Sequence, residues 1–562
     1  MRHPHHNVHR LAITALSPVH IGTGQDLEPT GYVIDGKDLY LFSPEAALRA
    51  LSASAREELT GLLGDAPSVR MIKQVQAFFH RYSEALIAES EHAMPVLPSI
   101  AAEYRTRVGN TAQREESGRD IINQLTISRT FTDQVTQRPI LPGSSLKGAM
   151  RTALLDLIND GELLPADISS LPQKKQSLAL QQSLFHYRDF NLDPMRLVQL
   201  GDARDQTPVE SYATDVCYAV NRKRQPVFKD GTDIGAQAEN LRQVLECVPP
   251  LRPQAFTGQL GIQDVDGLTG PKLPDPGLRW TFHELAGACN RFYRPILVRE
   301  VRELAERGFL SADWMTAVQQ ILAAKQDELD ANRAFLLRVG RHSGAESVTL
   351  EGVRSIRINM GKDPRTGRTR YERFPETKTV WLAAGDIAQK TDMLPFGWML
   401  VEGFAADHPV PSWSEPARAA VATRTHADED WHRRVSERRA TLRAAAAERQ
   451  AREVQRAEQA AQAQREAEAR EARRASLSEE ERQIEDLREH LDRDRAAGRK
   501  EKGGELANRL ATLLKEAEQN WQGDVCIQLA DLAEEIHGYI GWPSSKKKQV
   551  RREQIEAIRG KG

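Results

Sequence analysis

The chain has 562 residues and balances 77 Lys and Arg against 79 Asp and Glu, a net charge of −2, so it is not a small, uniformly basic nucleic-acid protein, and any polyanion must be met by local basic surface. A single core stops growing near ~250–300 residues, so this length with 40 % hydrophobic residues predicts two or three domains. The four cysteines form no C-x-x-C pair, which argues against a zinc ribbon and suits a reducing cytoplasm, and no apolar run reaches the ~18 residues of a membrane span.

The N-terminal ten residues are rich in histidine (His3, His5, His6 and His9) and lack the apolar stretch of a signal peptide; they read as a mobile tail. Residues 9–16 read as a strand, which ends in a glycine-bearing loop at 17–24. A hairpin follows at 32–34 and 38–42 around Asp35-Gly36, and Ser43-Pro44 opens a helix as N-cap and first residue. Residues 119–140 look extended. They lead to a Gly-Ser turn at 142–145 and an amphipathic helix at 146–155. Strand-like pieces and loops alternate through 197–256, with a basic cluster at Arg222, Lys223 and Arg224. Breaker-rich stretches at 249–253 and 271–276 then mark a soft boundary. Helices are expected at 280–307 and 312–331, and strands at 335–339, 353–358, 380–382 and 397–404.

After Pro416 neither Pro nor Gly occurs until Gly498, and Ala, Arg and Glu dominate: a long helix, without the apolar heptad of a coiled coil. Ser478-x-x-Glu481 is a capping box that restarts a helix, and the last part reads as a small helical bundle ending in the basic residues 546–552. The expected organisation is thus 8–275 and 276–412 as two α+β sheet domains, 417–497 as a long charged helix, and 498–562 as a small helical region.

Three loops could carry chemistry. At 141–151, Gly143, Ser144 and Ser145 let backbone approach a phosphate at a helix N-terminus, with Lys147 and Arg151 four apart on one helical face; the same residues also read as an ordinary helix start. At 338–344 a strand ends in Gly340, Arg341 and Gly344, close backbone plus a guanidinium fork, or simply a polar turn. The loop 17–24 carries His20, Gly22 and Gly24. His20 as a general base would need an acid partner, and the nearby Asp26 is a weak candidate. The basic runs at 222–224 and 365–370 read as solvated faces or, with Phe228, Tyr371 and Phe374, as base-stacking surfaces.

Leu11 to Gly24, the segment Arg138-Pro139-Ile140-Leu141-Pro142-Gly143-Ser144-Ser145-Leu146-Lys147-Gly148-Ala149-Met150-Arg151, and residues 338–350 together resemble the RAMP superfamily of CRISPR-associated proteins, over roughly residues 8–410. In order and spacing they are similar to the two-domain subunit that caps the 3′ end of the guide RNA in a type III-A (Csm) complex. The resemblance implies two ferredoxin-like (RRM-like) domains with helical insertions. It implies a non-catalytic, cytoplasmic subunit acting in guide maturation and antiviral defence, with no metal and no cofactor. Its partners would be guide crRNA, neighbouring RAMP backbone subunits, target RNA through the guide, host nucleases, and no membrane. Carried over, His20, Gly22 and Gly24 line a first RNA-facing loop, Gly143, Ser144, Ser145, Lys147 and Arg151 a second, and Gly340, Arg341 and Gly344 a third. The alternative is a RAMP endoribonuclease that processes guide precursor through His20, or cleaves target RNA through Asp26.

Overall fold

Leu11, Ala12, Ile13, Thr14 and Ala15 are buried without alternation, the signature of a strand covered on both faces. The computed structural model, which describes residues 6–64, 68–108, 113–114, 120–121, 125–208, 212–236, 242–268 and 270–562, places them at the centre of a seven-stranded sheet. The order is Ala334–Arg338, Trp398–Ala405, His6–Ala15, Phe256–Gln263, Ala203–Asp205 and Ile140–Leu141, with Val198–Leu200 also paired to Phe256–Gln263. Ile13 pairs with Val401 on one side and Phe256 on the other. A second sheet runs Gly22–Leu27, Ile127–Thr130, Arg242–Cys247, Asp215–Lys223, Thr379–Ala384 and Leu394–Pro395. Both sheets therefore join a block of strands from before residue 276 to a block from after it. The helices Gly143–Asn159 and Phe282–Glu306 pack on each other and on the first sheet.

Local chemistry sets the elements where the sequence placed them. Ser43 accepts from the Ala46 amide with Pro44 at the first helical position. Thr281 and Glu284 form a capping box at the start of Phe282–Glu306, and Ser478 with Glu481 forms another. Tyr32–Asp35 and Asp38–Leu41 make the expected hairpin.

Several expectations shift. The histidine-rich start is not a free tail at its end: His6–Ala15 is one strand, and the His9 ring stacks on Phe282 at 4.4 Å, while residues 1–5, with His3 and His5, lie outside the described residues. Of 119–140, only part is described. It holds the strand Ile127–Thr130 and a turn in which Asp133 accepts from the amides of Val135 and Thr136, holding that carboxyl below its usual range. The helix expected from 312 to 331 breaks at Lys325. The long charged stretch, by contrast, divides where the capping box was expected, into Ala422–Ser476 and Glu479–Ala496. Cys217 and Cys247, 30 positions apart in sequence, lie on paired strands with sulfurs 3.6 Å apart as free thiols.

The chain forms two compact units, 1–446 and 447–562. In the second, Glu479–Ala496, Glu505–Asn520, Asp524–Ile540 and Ser545–Arg559 enclose their own core, with Leu487, Leu491, Leu514, Leu529, Ile536 and Ile558 buried. No helix among the described residues is long and apolar enough to cross a membrane.

Candidate nucleic-acid interface

The central strand ends at Ala15, and the loop that follows is fastened to its neighbours by backbone. The amides of Leu16 and Ser17 donate to the Trp398 carbonyl, the Ser17 hydroxyl accepts from the Trp398 amide, and the Gly397 amide donates to the Pro18 carbonyl. The indole of Trp314 donates to the Leu16 carbonyl at 2.7 Å. Beneath this, Glu300 accepts from the Trp398 indole at 2.8 Å and pairs with the Arg338 guanidinium at 2.9 Å. Arg338 also lies 4.9 Å over the Trp398 ring and donates to the Phe396 carbonyl. This ion pair is fully buried and hydrogen-bonded on both partners, so it fixes geometry more than it adds stability.

Two of the three predicted loops meet on this platform. The Arg341 amide donates to the His20 carbonyl at 2.8 Å. Gly340 has φ +84°, and a Cβ there would collide with the same carbonyl, so this contact requires glycine. Gly344, at φ +76°, lies against the Arg338 guanidinium and the Glu346 carboxylate. Gly22, Gly24 and Arg341 are exposed at the junction. The backbone of Gly24 is left-handed with open space around it.

The His20 side chain does not line this surface. Only 1 % of it is exposed; one ring nitrogen, Nδ1, lies 2.7 Å from the Glu246 carbonyl, and the other, Nε2, is buried beside Gly22. Burial pulls its pKa below the usual histidine value, against the Glu246 carbonyl, which raises it. Its role in the loop is packing, because the Cβ direction at position 20 points inward while the carbonyl points to Arg341. The residue that sequence reasoning passed over is His342, which stacks on Trp381 at 4.5 Å and hydrogen-bonds Gln243 at 3.0 Å. Burial, then the nearby Arg341 charge, pushes its pKa down to about 3. Nothing in the sequence near 342 signals Trp381 or Gln243, since both come from other strands.

The third loop lies elsewhere. Gly143 packs on the Leu200 carbonyl, Leu200 pairs with Leu260, and Leu260 pairs with His9; the Gly340 loop begins past Arg338, one step beyond the level of Ala15. At the rise of a strand, the two ends are roughly 20 Å apart along the sheet. The helix also begins at Gly143, not after it, and the Gly143 amide donates to the Asp202 carboxylate at 2.8 Å. A carboxylate of the protein thus takes an amide expected to face phosphate. Arg151 is likewise committed: it pairs with Asp193 at 2.9 Å, donates to Gln181 and Tyr187, and lies over the Phe185 ring. Ser144 is exposed, Ser145 is half-buried and donates its amide to Pro142, and Lys147 is half-buried with its pKa lowered by burial.

The basic runs divide the same way. Arg222 is buried and bonded to the carbonyls of Asn221, Ile387 and Gln389, and Arg224 pairs with Glu303 and Glu346. The run at 365–370 is the tip of an exposed hairpin, Ile356–Lys362 with Thr369–Phe374, turned by Asp363, whose carboxylate accepts from the amides of Arg365 and Thr366. Arg357 stacks on Tyr371 at 3.7 Å and Lys378 on Phe374 at 3.9 Å. Asp26 is exposed on the strand Gly22–Leu27 and lines a separate cavity of about 580 Å³ with Arg129, His92 and Phe79. No group of His, Cys, Asp and Glu among the described residues could hold a metal ion.

Residues 12–223 match the family model of the RAMP superfamily. Among known structures, the protein is similar to a chain of a Csm–crRNA–target RNA ternary complex from a type III-A CRISPR-Cas system, at 18 % identity and a TM-score of 0.41, covering 70 % of this chain and 100 % of that one. It is also similar to Csm5 of T. onnurineus, at 16 % identity and a TM-score of 0.39, covering 69 % of this chain and 99 % of that one. No curated protein sequence matches it.

Proposed function

We propose that this protein is a non-catalytic, guide-RNA-binding subunit of a type III-A CRISPR complex, which caps the 3′ end of the guide and supports its maturation. The observation that carries the reading is the junction of the loops 17–24 and 338–344 in a chain whose residues 12–223 match the RAMP model: Gly22 and Gly24 bring exposed backbone, and Gly340 lets the second loop close on the first so that Arg341 is exposed on the same surface, on a rigid base. Contacts of this kind hold phosphates without reading bases, which suits a guide whose sequence varies. The exposed hairpin tip carries further cations, Arg365, Arg368 and Arg370. Guide RNA, target RNA through it, neighbouring RAMP subunits and, on the margin, host nucleases are the partners of this cytoplasmic assembly. Burial of the His20 ring speaks for a structural use of that residue over general-base chemistry.

The test is RNA retention against salt. Arg341→Ala weakens binding of a guide-length RNA and lowers the log–log salt slope by about 0.7 for the lost contact to a single strand. Arg341→Lys restores part of the slope. In assemblies rebuilt with the variant, sequencing of the bound guide shows ragged or extended 3′ ends. Unchanged slope together with unchanged guide ends would remove the proposal.

A further inference from the structure

The helices of the second unit present an unusual arrangement of cations around two aromatic rings. Tyr539 and Trp542 lie at the end of Asp524–Ile540 and just past it. Arg495 and Lys500 lie 5.6 and 5.2 Å from the Tyr539 ring centre, and Lys548 and Arg552 lie 5.7 and 5.0 Å from that of Trp542. The His537 ring stacks against Trp542 at 4.7 Å, which fixes the indole. Lys502 joins the two groups. Its stem rests on Gly541, where an added Cβ would meet the Lys502 Cε at 2.7 Å, and Gly541 has φ +88°. The segments 495–502 and 541–552, distant in sequence, are thereby brought together.

Three features separate this patch from an ordinary charged face. From 541 to 562 the chain carries Lys546, Lys547, Lys548, Arg551, Arg552, Arg559 and Lys561 against only Glu553 and Glu556. Arg495 is paired with Glu535, but among the described residues Lys500, Lys502, Lys548 and Arg552 have no carboxylate within ion-pair distance. A guanidinium stacked over a ring keeps its in-plane N–H donors free, and an ammonium keeps those turned away from the ring, so the rings position charge while leaving donors for a further anion. Side chains that elsewhere in this unit pair with acids, as Arg559 does with Asp531 and Glu556, are here left available for an external anion.

We infer that the C-terminal helical unit carries a second RNA-binding surface, centred on Tyr539 and Trp542, which grips the phosphate backbone through Lys500, Lys502, Lys548 and Arg552. RNA is favoured as the anion because the first unit, whose residues 12–223 match the RAMP model, is proposed above to hold guide RNA, and the inference rests on that reading for the identity of the ligand.

The experiment uses the full chain and a fluorescein-labelled, unstructured 30-nucleotide RNA. The variants are Lys548→Gln with Arg552→Gln, Gly541→Ala, and Arg341→Ala as the marker of the first unit. Anisotropy titrations across salt and mass-spectrometric mapping of photo-crosslinked peptides are the readouts. For the double variant, the expected result is about a tenfold loss of affinity at moderate salt and a slope smaller by about 1.4. Crosslinks at 536–552 disappear while those in 1–446 persist. Both substituted residues sit at the surface, so an unchanged helical circular dichroism spectrum verifies the fold; Gly541→Ala separates the two cation-bearing segments without altering charge and gives the same loss. Unchanged affinity and slope in the double variant, or no crosslink at 536–552 in the wild type, overturns the inference. So does equal displacement of RNA from this segment by polyglutamate at matched charge, which would mark an acidic protein partner. If Arg341→Ala is silent while the double variant loses binding, the function proposed for the first unit falls and this surface stands.

Discussion

His342 shows how a residue can matter through what it cannot do. Its backbone is left-handed, φ +66°, its ring is stacked on Trp381, and its pKa is pushed down to about 3 by burial and by Arg341. An unfolded histidine takes a proton near pH 6.5, while the folded one refuses it until pH ~3. The unfolded state therefore binds more protons as pH falls, so the full stability present above pH 6.5 is lost progressively toward pH 3. Between pH 7 and pH 5 this residue alone accounts for about 2 kcal/mol of lost unfolding free energy. Denaturant titrations at the two pH values measure it, and His342→Asn, which tolerates the same backbone, flattens the difference by that amount. A variant with the wild-type pH dependence would refute the buried neutral ring. The same scale shows what the sequence could and could not tell. That glycine is needed at 340 is legible as a Gly in a basic loop. That the Gly143 amide is already taken is not, because Asp202 arrives from 59 positions away.

Among the elements, hydrophobic patterning located the strands His6–Ala15, Ala334–Arg338 and Trp398–Ala405 and the helix Phe282–Glu306 within a few residues, since periodicity is a local property, but left the helices between 53 and 107 unread. Their partners are not local. Nothing in residues 9–16 says that the first strand pairs with both Phe256–Gln263 and Trp398–Ala405, so a picture of one sheet per half missed that early and late strands share each sheet. The exposed hairpin at 356–374 was half legible: its basic tip read as a loop and a strand was expected at 353–358, while Thr369–Phe374, exposed along nearly its whole length, carries no apolar face to mark it. It forms a two-stranded sheet of its own and pairs with neither large sheet. Replacing Arg365, Arg368 and Arg370 together by Gln consequently leaves thermal stability within about 0.5 kcal/mol, as for surface substitutions generally. The salt slope of RNA binding falls by up to about 2. A stability loss without a change of slope would assign the hairpin to the scaffold instead.

For the whole molecule, the decisive question is where the first unit ends. Composition changes at Pro416, which suggests that everything beyond 417 is an appendage. Yet the opening turns of Ala422–Ser476 are built into the first unit. Trp431, Val435 and Leu442 are buried in one cluster with Val33, Tyr40, Phe78 and Ile87. The Trp431 indole donates to Asp38 at 2.8 Å, Arg434 pairs with the same carboxylate at 3.0 Å, and Asp428 pairs with Arg252 at 2.8 Å. The composition of a charged helix conceals this, because three apolar residues at helical spacing among many Arg and Glu do not read as a core face. Removal of residues 417–562 would strip that cluster and take the indole and guanidinium from Asp38 and the carboxylate from Arg252, whereas a cut after 446 falls between compact units. Loss of one buried Trp alone costs about 3–5 kcal/mol, and a charge that loses its partner adds to it. The chain 1–446 should accordingly melt close to the first unit of the intact protein, while 1–416 unfolds at markedly lower denaturant and exposes the cluster to hydrophobic dyes. Trp431→Ala in the full chain reproduces much of that loss without any truncation. Equal midpoints for 1–416 and 1–446 would mean that the helix merely rests on the first unit, and the boundary would return to Pro416.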